Sequence, residues 1–282
     1  MPSRFVQIAT VVPVAARHIS AMAVLIVAML CVVDRWANAG DVKPTTLRVL
    51  TYNIHHGEGT DGKVDLPRIA AAIRAANADL VALQEVDVRV QRTANVDQAV
   101  ELANATEMNM VFHGNIELQG GQYGNAILSR FPITASRNVV LPNDVDGEQR
   151  GVLIASVTIP ELASPLEFYC THFDHRRPDA LRVASAKVVA KLAVESKTEL
   201  KILAGDLNDK LDSRTIQAIQ QSWTLANSKP APTIPVGKPQ YQIDFVLTSP
   251  ASAWRVDRVI VLDETVASDH RPLLAEVTLL SP

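Results

Sequence analysis

The chain has 282 residues, 48% of them hydrophobic and 20% charged, which is long and apolar enough for a large core and argues against an intrinsically disordered protein. With 27 basic and 30 acidic residues its formal net charge is −3. That balance neither advertises nor excludes a polyanion partner, whose non-specific capture relies on Lys and Arg neutralising phosphates.

The N-terminus reads as a targeting segment. Arg4, Arg17 and His18 precede an unbroken apolar run from Ala21 to Val33, and Ala37, Asn38, Ala39 and Gly40 follow. This is a positive n-region, an h-region and an A-x-A cleavage site. The run is 13 residues long, whereas a spanning helix needs ~20, so a secretory signal over 1–39 is expected rather than a membrane anchor. The functional domain is then 40–282, exported to the periplasm or beyond the cell. Cleavage removes three arginines and one aspartate, giving a mature charge of −5, and leaves Cys170 as the single cysteine. No intrachain disulfide can then brace the core.

From Thr46 onward, β-rich runs alternate with helical patterns. Strands are expected at Leu47 to Ile54, Leu80 to Gln84, Asn125 to Ser129, Val152 to Ile159, Leu166 to Thr171, Ile202 to Gly205, Ile243 to Thr248, Val259 to Leu262 and Leu273 to Leu279. Most are apolar on successive residues, the pattern of strands covered on both faces. Leu66, Ile69, Ala70 and Ile73 recur at helical spacing with Pro67 near the start, as do Leu181, Ala184, Val188 and Leu192 after Pro178. Two further helices are expected near 98–108 and 213–222, capped by Asp97 and Asp212. Ser228 to Pro239 holds four prolines and reads as an extended loop. Strands outnumbering helices about two to one imply two central sheets with helices outside them.

Polar residues of metal and phosphate chemistry stand where several apolar runs stop. They are Asn53, Glu85, His172, and the pair Asp206 and Asn208; Asp244 interrupts another strand, and Ser268-Asp269-His270 opens the last. Singly, each reads as readily as a turn or cap residue. In order along the chain stand TYNIH, ALQEVD, GNAILSRFPI, THFDH, GDLND, QIDFVLTS and SDHRPL. In these blocks the chain resembles the endonuclease/exonuclease/phosphatase superfamily of DNase I-like, metal-dependent phosphohydrolases, from Leu47 to the C-terminus. The resemblance implies a four-layer α/β/β/α sandwich, two mixed β-sheets flanked by helices, with the site at one end of the sheets.

It also implies roles. Mg²⁺, with Mn²⁺ as the alternative, prefers oxygen ligands. Glu85 is the first choice of ligand, with Asn53 and Asp269 completing the set as the family pattern implies. Asp206 resembles the residue that orients or deprotonates the attacking water, and Asn208 the one that steadies water and phosphate. His172 resembles a second family histidine. A carboxylate such as Asp244 beside His270 fixes the tautomer and raises the pKa, so His270 either takes a proton from water or donates to a phosphoryl oxygen. His55 stands where the DNA-repair branch tends to carry Asp, which casts doubt on a second metal site built there.

Outside the shared blocks, Arg92 and Arg150 are candidates for bidentate phosphate contact, a salt bridge to a neighbour such as Glu148 being the alternative. His175, Arg176 and Arg177 form either a basic lip or a polar loop. The expected function is hydrolysis of a small-molecule or lipid head-group phosphate ester. A secreted nuclease with the same catalytic set is the alternative, because the arginines are scattered and no basic stripe suggests a tracked nucleic-acid backbone. A non-catalytic binding module should show gaps in the set, and there are none.

Overall fold

The computed structural model describes residues 45–144 and 146–280; the signal-like segment over 1–39 lies outside the described residues. Twelve strands form two six-stranded sheets. The first contains β1 (Thr46–Asn53), β2 (Leu80–Val88), β3 (Asn109–Leu118), β4 (Gly121–Ser129), β11 (Trp254–Val261) and β12 (Leu273–Leu279), in the order β11-β12-β1-β2-β4-β3. The second contains β5 (Ile133–Val140), β6 (Gly151–Val157), β7 (Leu166–His172), β8 (Lys201–Asp206), β9 (Thr224–Leu225) and β10 (Asp244–Ser249), in the order β5-β6-β7-β8-β10-β9. Both sheets are mixed: β1 runs parallel to β2 and β7 parallel to β8, and the other pairings are antiparallel.

Successive apolar residues in the strands serve two different cores. Leu47, Val49, Leu80 and Ala82 point between the sheets and meet Phe168, Cys170, Ile202 and Ala204. Their neighbours Leu50, Tyr52, Val81 and Leu83 point outward onto α1 (Leu66–Ala76) and α2 (Gln98–Thr106), through Ile69, Ile73 and Leu102. On the other side Tyr169, Leu203 and Phe245 pack on α3 (Ala180–Glu195) and α4 (Arg214–Ile219), through Val189 and Ile216. The result is the expected four-layer α/β/β/α sandwich. Each fully buried large apolar side chain contributes about 1.5–3 kcal/mol, and burial on both strand faces explains how a fold without a disulfide is held.

Caps explain the helix starts. Asp65 accepts from Arg68 N at 3.0 Å and Asp97 from Val100 N at 3.1 Å. The cap of α4 is Ser213 rather than the expected Asp212: its Oγ accepts from Ile216 N at 3.3 Å, and the helix is short, ending at Ile219. The edge strands β3 and β5 were not expected. Neither has a run of buried residues, because an edge strand covered on one side does not need the apolar signal that marks the central ones.

One glycine sets the spacing at the heart of the second sheet. Gly205 pairs with Thr171 across β7 and β8, and a Cβ added there would lie 2.1 Å from the Thr171 carbonyl oxygen. The two backbones approach as closely as they do only because position 205 has no side chain. No helix among the described residues is long and apolar enough to cross a membrane.

Candidate active site at the strand ends

The parallel pairs β1/β2 and β7/β8 bring their carboxyl ends to one edge of the sandwich. In the second sheet the register places three polar residues on one rung: His172 pairs with Asp206, and Asp206 with Asp244. All three are buried. His270, from the loop before β12, points its Nδ1 at Asp244 Oδ2, 2.9 Å away, and its Nε2 at Asp206 Oδ2, 3.8 Å away. Thr233 Oγ1 donates to the same Asp244 oxygen at 2.5 Å.

These contacts set the charges. Burial opposes a proton on His270, but Asp244, with Asp206 and Asp269 adding, outweighs it and raises the imidazole to about 10. Burial, and next the Asp244 carboxylate, hold Asp206 well above the ordinary carboxylate range, while His270 pulls partly back. Asp206 is therefore a buried carboxylate with unusual proton affinity. Its Oδ1 accepts from Asn208 N at 2.8 Å and its Oδ2 from Asn53 Nδ2 at 3.2 Å. Asn208 has φ +50°, a left-handed conformation that Asn tolerates better than most residues. This turn places its amide 3.0 Å from His172 Nε2.

His172 is wired differently from His270. Arg150 Nη1 lies 3.0 Å from its Nδ1. A guanidinium can only donate, so Nδ1 accepts and the ring is neutral. Burial, then the charge of Arg150, depress its pKa well below 6.5. Its Nε2 lies 3.0 Å from Asn208 Nδ2 and 3.5 Å from Asp206 Oδ2.

The first sheet supplies the opposite shore. Asn53 ends β1, and Glu85 sits where the β2–β4 register shifts between Leu83 and Val86. This bulge, with φ +61° at Glu85, turns the carboxylate out of the strand alternation. Asn53 Nδ2 donates to Glu85 Oε1 at 3.0 Å, tying the two expected ligands together. Glu85 forms no ion pair among the described residues. An uncompensated, half-buried carboxylate beside an amide suits a hard divalent cation. Asp269 is half-buried, its Oδ1 3.3 Å from Ser268 Oγ. It belongs to neither compact set of metal-competent side chains among the described residues, which are His55, His56 and Glu85, and Asp206, Asp244 and His270.

Between the shores lies an open cleft of about 320 Å³, bounded by Glu85, Asp206 and His172, with Ile116, Leu118 and Tyr123 forming an apolar wall. Arg92 and Arg150 both line it, and each already has a carboxylate partner. Arg92 is gripped by buried Asp87 at 2.8 and 2.9 Å, and Arg150 pairs with Glu148 at 2.8 Å. Of the basic stretch at 175–177, His175 lines the cleft, whereas Arg176 is tied to Asp174 and Asp144. Sequence reasoning missed Thr233 and His56. Thr233 lies in the proline-rich loop, where nothing local marks it; His56 doubles the histidine of the first block, which was the signal available.

Comparison with known proteins agrees with this fold. The profile described as Endonuclease/Exonuclease/phosphatase family matches residues 50–270. The chain is 31% identical over 249 residues to the uncharacterized protein YbhP of Escherichia coli (strain K12), covering 83% of this chain and 97% of that one. Among solved structures it superposes on an endonuclease/exonuclease/phosphatase from Beutenbergia cavernae with a TM-score of 0.67 and 25% identity, over 83% of this chain and 72% of that chain. A mannosyl-6-phosphatase from Bacteroides thetaiotaomicron shares the fold, with a TM-score of 0.66 at 20% identity over 83% of this chain and all of the other. The chain belongs to the Endonuclease/Exonuclease/phosphatase family.

Proposed function

We propose that this protein is an exported, metal-dependent phosphoric ester hydrolase acting on a small-molecule or lipid head-group phosphate. The observation that carries this reading is the rung His172–Asp206–Asp244 with His270 closing it. It brings a buried base and a neutral imidazole N–H to the cleft, with a charged imidazole held behind the base.

Each side chain has a task that follows from its state. Asp206 accepts a proton from water, its raised proton affinity matching it to that work near neutral pH. The water oxygen then attacks phosphorus as the bond to the ester oxygen breaks, and the departing oxygen takes up a proton from solvent. Asn53 and Asn208 fix the Asp206 carboxylate through the contacts described. His270 holds its proton against Asp244 and stabilises charge growing on a phosphoryl oxygen, and the His172 N–H donates a second hydrogen bond to it. Asn53 and Glu85, with Asp269 alongside, would hold the cation, Mg²⁺ or alternatively Mn²⁺, which supplies Lewis-acid polarisation of the phosphoryl group.

The cleft, at about 320 Å³, is near the lower end of the range for small-molecule sites, and its two arginines are already paired with carboxylates. Both points favour a single small ester over a nucleic-acid backbone. The test is turnover by the purified protein of an activated phosphodiester, a phosphomonoester, phospholipids, RNA and plasmid DNA, each with a chelator control. Small or lipid esters should be cleaved best; efficient plasmid nicking at physiological salt, lost in Asp206→Asn and absent on small esters, would establish a secreted nuclease instead. Export predicts a mature N-terminus near Gly40 beyond the inner membrane, and an intact N-terminus on a cytoplasmic protein would refute it.

A further inference from the structure

The hydrolytic reading leaves the turn after β1 without a role. This turn, His55–Gly57, carries two consecutive non-glycine residues in the left-handed region, His55 at φ +46° and His56 at φ +44°. Such conformations are strained and persist where the surroundings hold them. The turn brings both imidazoles to Glu85: one ligand atom from each of His55, His56 and Glu85 lies within 4.8 Å of the others.

Hydrogen bonds decide which nitrogens are free. His55 Nδ1 lies 3.1 Å from the Glu58 carbonyl oxygen. A carbonyl only accepts, so Nδ1 carries the proton and Nε2 keeps its lone pair. His56 Nε2 lies 3.3 Å from the Glu58 carboxylate, so there the proton sits on Nε2 and Nδ1 keeps the lone pair. That Nδ1 is buried and has no partner. Leaving such an acceptor empty is destabilising unless a ligand fills it.

Both imidazoles thus donate one N–H to Glu58 and offer the other nitrogen, the arrangement that orients metal-ligating histidines. Glu85, whose Oε1 accepts from Asn53, adds its second oxygen. Arg92, whose charge bears on His56, is neutralised by Asp87. The other compact cluster offers no such site, because both nitrogens of His270 face carboxylates.

We propose that His55, His56 and Glu85 form a nitrogen-rich site for a borderline divalent ion of the Zn²⁺ class, beside the oxygen ligand Asn53. Two imidazoles and one carboxylate suit such ions, whereas Mg²⁺ prefers oxygen alone. The site shares Glu85 and Asn53 with the cation of the proposed hydrolase, and rests on that reading for the ion's task though not for its binding.

The experiment is calorimetric titration of the chelator-treated protein with Zn²⁺, and with Co²⁺ read by the visible absorption of a nitrogen-ligated ion. A single Zn²⁺ per chain should bind more tightly than Mg²⁺, with Co²⁺ displaced by Zn²⁺. His55→Gln and His56→Gln should each weaken Zn²⁺ by roughly tenfold or more, and Glu58→Ala, which removes only the partner of His56, by roughly 10–100-fold. Melting of the metal-free variants reports folding, and His55→Gln, at a half-buried residue, gives the reading if His56→Gln unfolds. Tight Zn²⁺ binding that depends on His55 and His56, in a protein that turns over none of the phosphate esters, would sustain this site and sink the hydrolytic reading, which separates the two. Zn²⁺ binding no tighter than Mg²⁺, or unchanged in His55→Gln and Glu58→Ala, overturns the proposal.

Discussion

The two shores of the cleft solve opposite problems with the same residue types. At the end of the second sheet, His172, Asp206 and Asp244, joined by His270 from the loop before β12, are buried and bonded to one another or to Thr233, Asn208 and Arg150. On the first, Glu85 and His55 are half-buried, and the turns that carry them have left-handed backbone. Interlocked contacts fix protons and charges in advance; open donors await a ligand. The difference teaches that a histidine or carboxylate in such a cleft is identified by what occupies its second polar atom, more than by its exposure.

The largest effects should come from breaking the interlocked shore. His270→Ala should lower kcat by roughly 10² or more with little change in KM, since it removes charge stabilisation needed in the transition state. An effect confined to KM would reduce that residue to substrate binding. Asp206→Asn should lower kcat comparably and yet raise the thermal midpoint, by about 2–4 °C for each kcal/mol gained. The sign follows from the raised proton affinity of Asp206 in the fold. A carboxylate that binds its proton more tightly when folded contributes stability at acid pH, and that contribution is lost as pH rises through its folded value. The Asn variant should lack that slope; a lower midpoint at neutral pH would show that the charge is welcome there.

Glu85→Gln tests the open shore. Turnover should fall at limiting metal and recover in excess metal, with the melting temperature unchanged, because the substitution removes charge but little volume. Wild-type turnover at limiting metal would remove Glu85 from the ligand set. Smallest, and aimed at the link between the shores, is Arg150→Met. It frees His172 Nδ1, so the ring should titrate closer to the ordinary 6.5 in NMR spectra and kcat should fall about tenfold, in keeping with a positioning role. An unmoved titration would mean that burial alone holds the ring neutral.

Much of this arrangement was legible in the sequence, for a physical reason. Central strands buried on both faces must be apolar residue after residue, so Asn53, His172 and Asp206 stand out where the runs end, and the two-sheet sandwich follows from the same runs. The edge strands β3 and β5 carry no such signal, since residues such as Glu117 and Arg137 meet solvent there. The wiring was also out of reach. That Arg150 reaches His172, and Thr233 reaches Asp244 from a proline-rich loop, depends on contacts between residues 22 and 11 positions apart. The expectation that Arg92 and Arg150 are free for phosphate left out Asp87, although the salt bridge to Glu148 was the weighed alternative and does form.

The bare backbone at Gly205 has a consequence for how this protein can change. Because a methyl group at that position would collide with the Thr171 carbonyl, any replacement is a wedge driven between β7 and β8, one rung from where His172 faces Asp206. The alignment of those groups is thus guarded by an atom that is missing, and it cannot be adjusted in small steps. A saturation library should find 205 intolerant of every side chain while Ile116 and Leu118 on the cleft wall accept many. Substrate preference can then drift along the wall while the geometry of the reaction stays fixed.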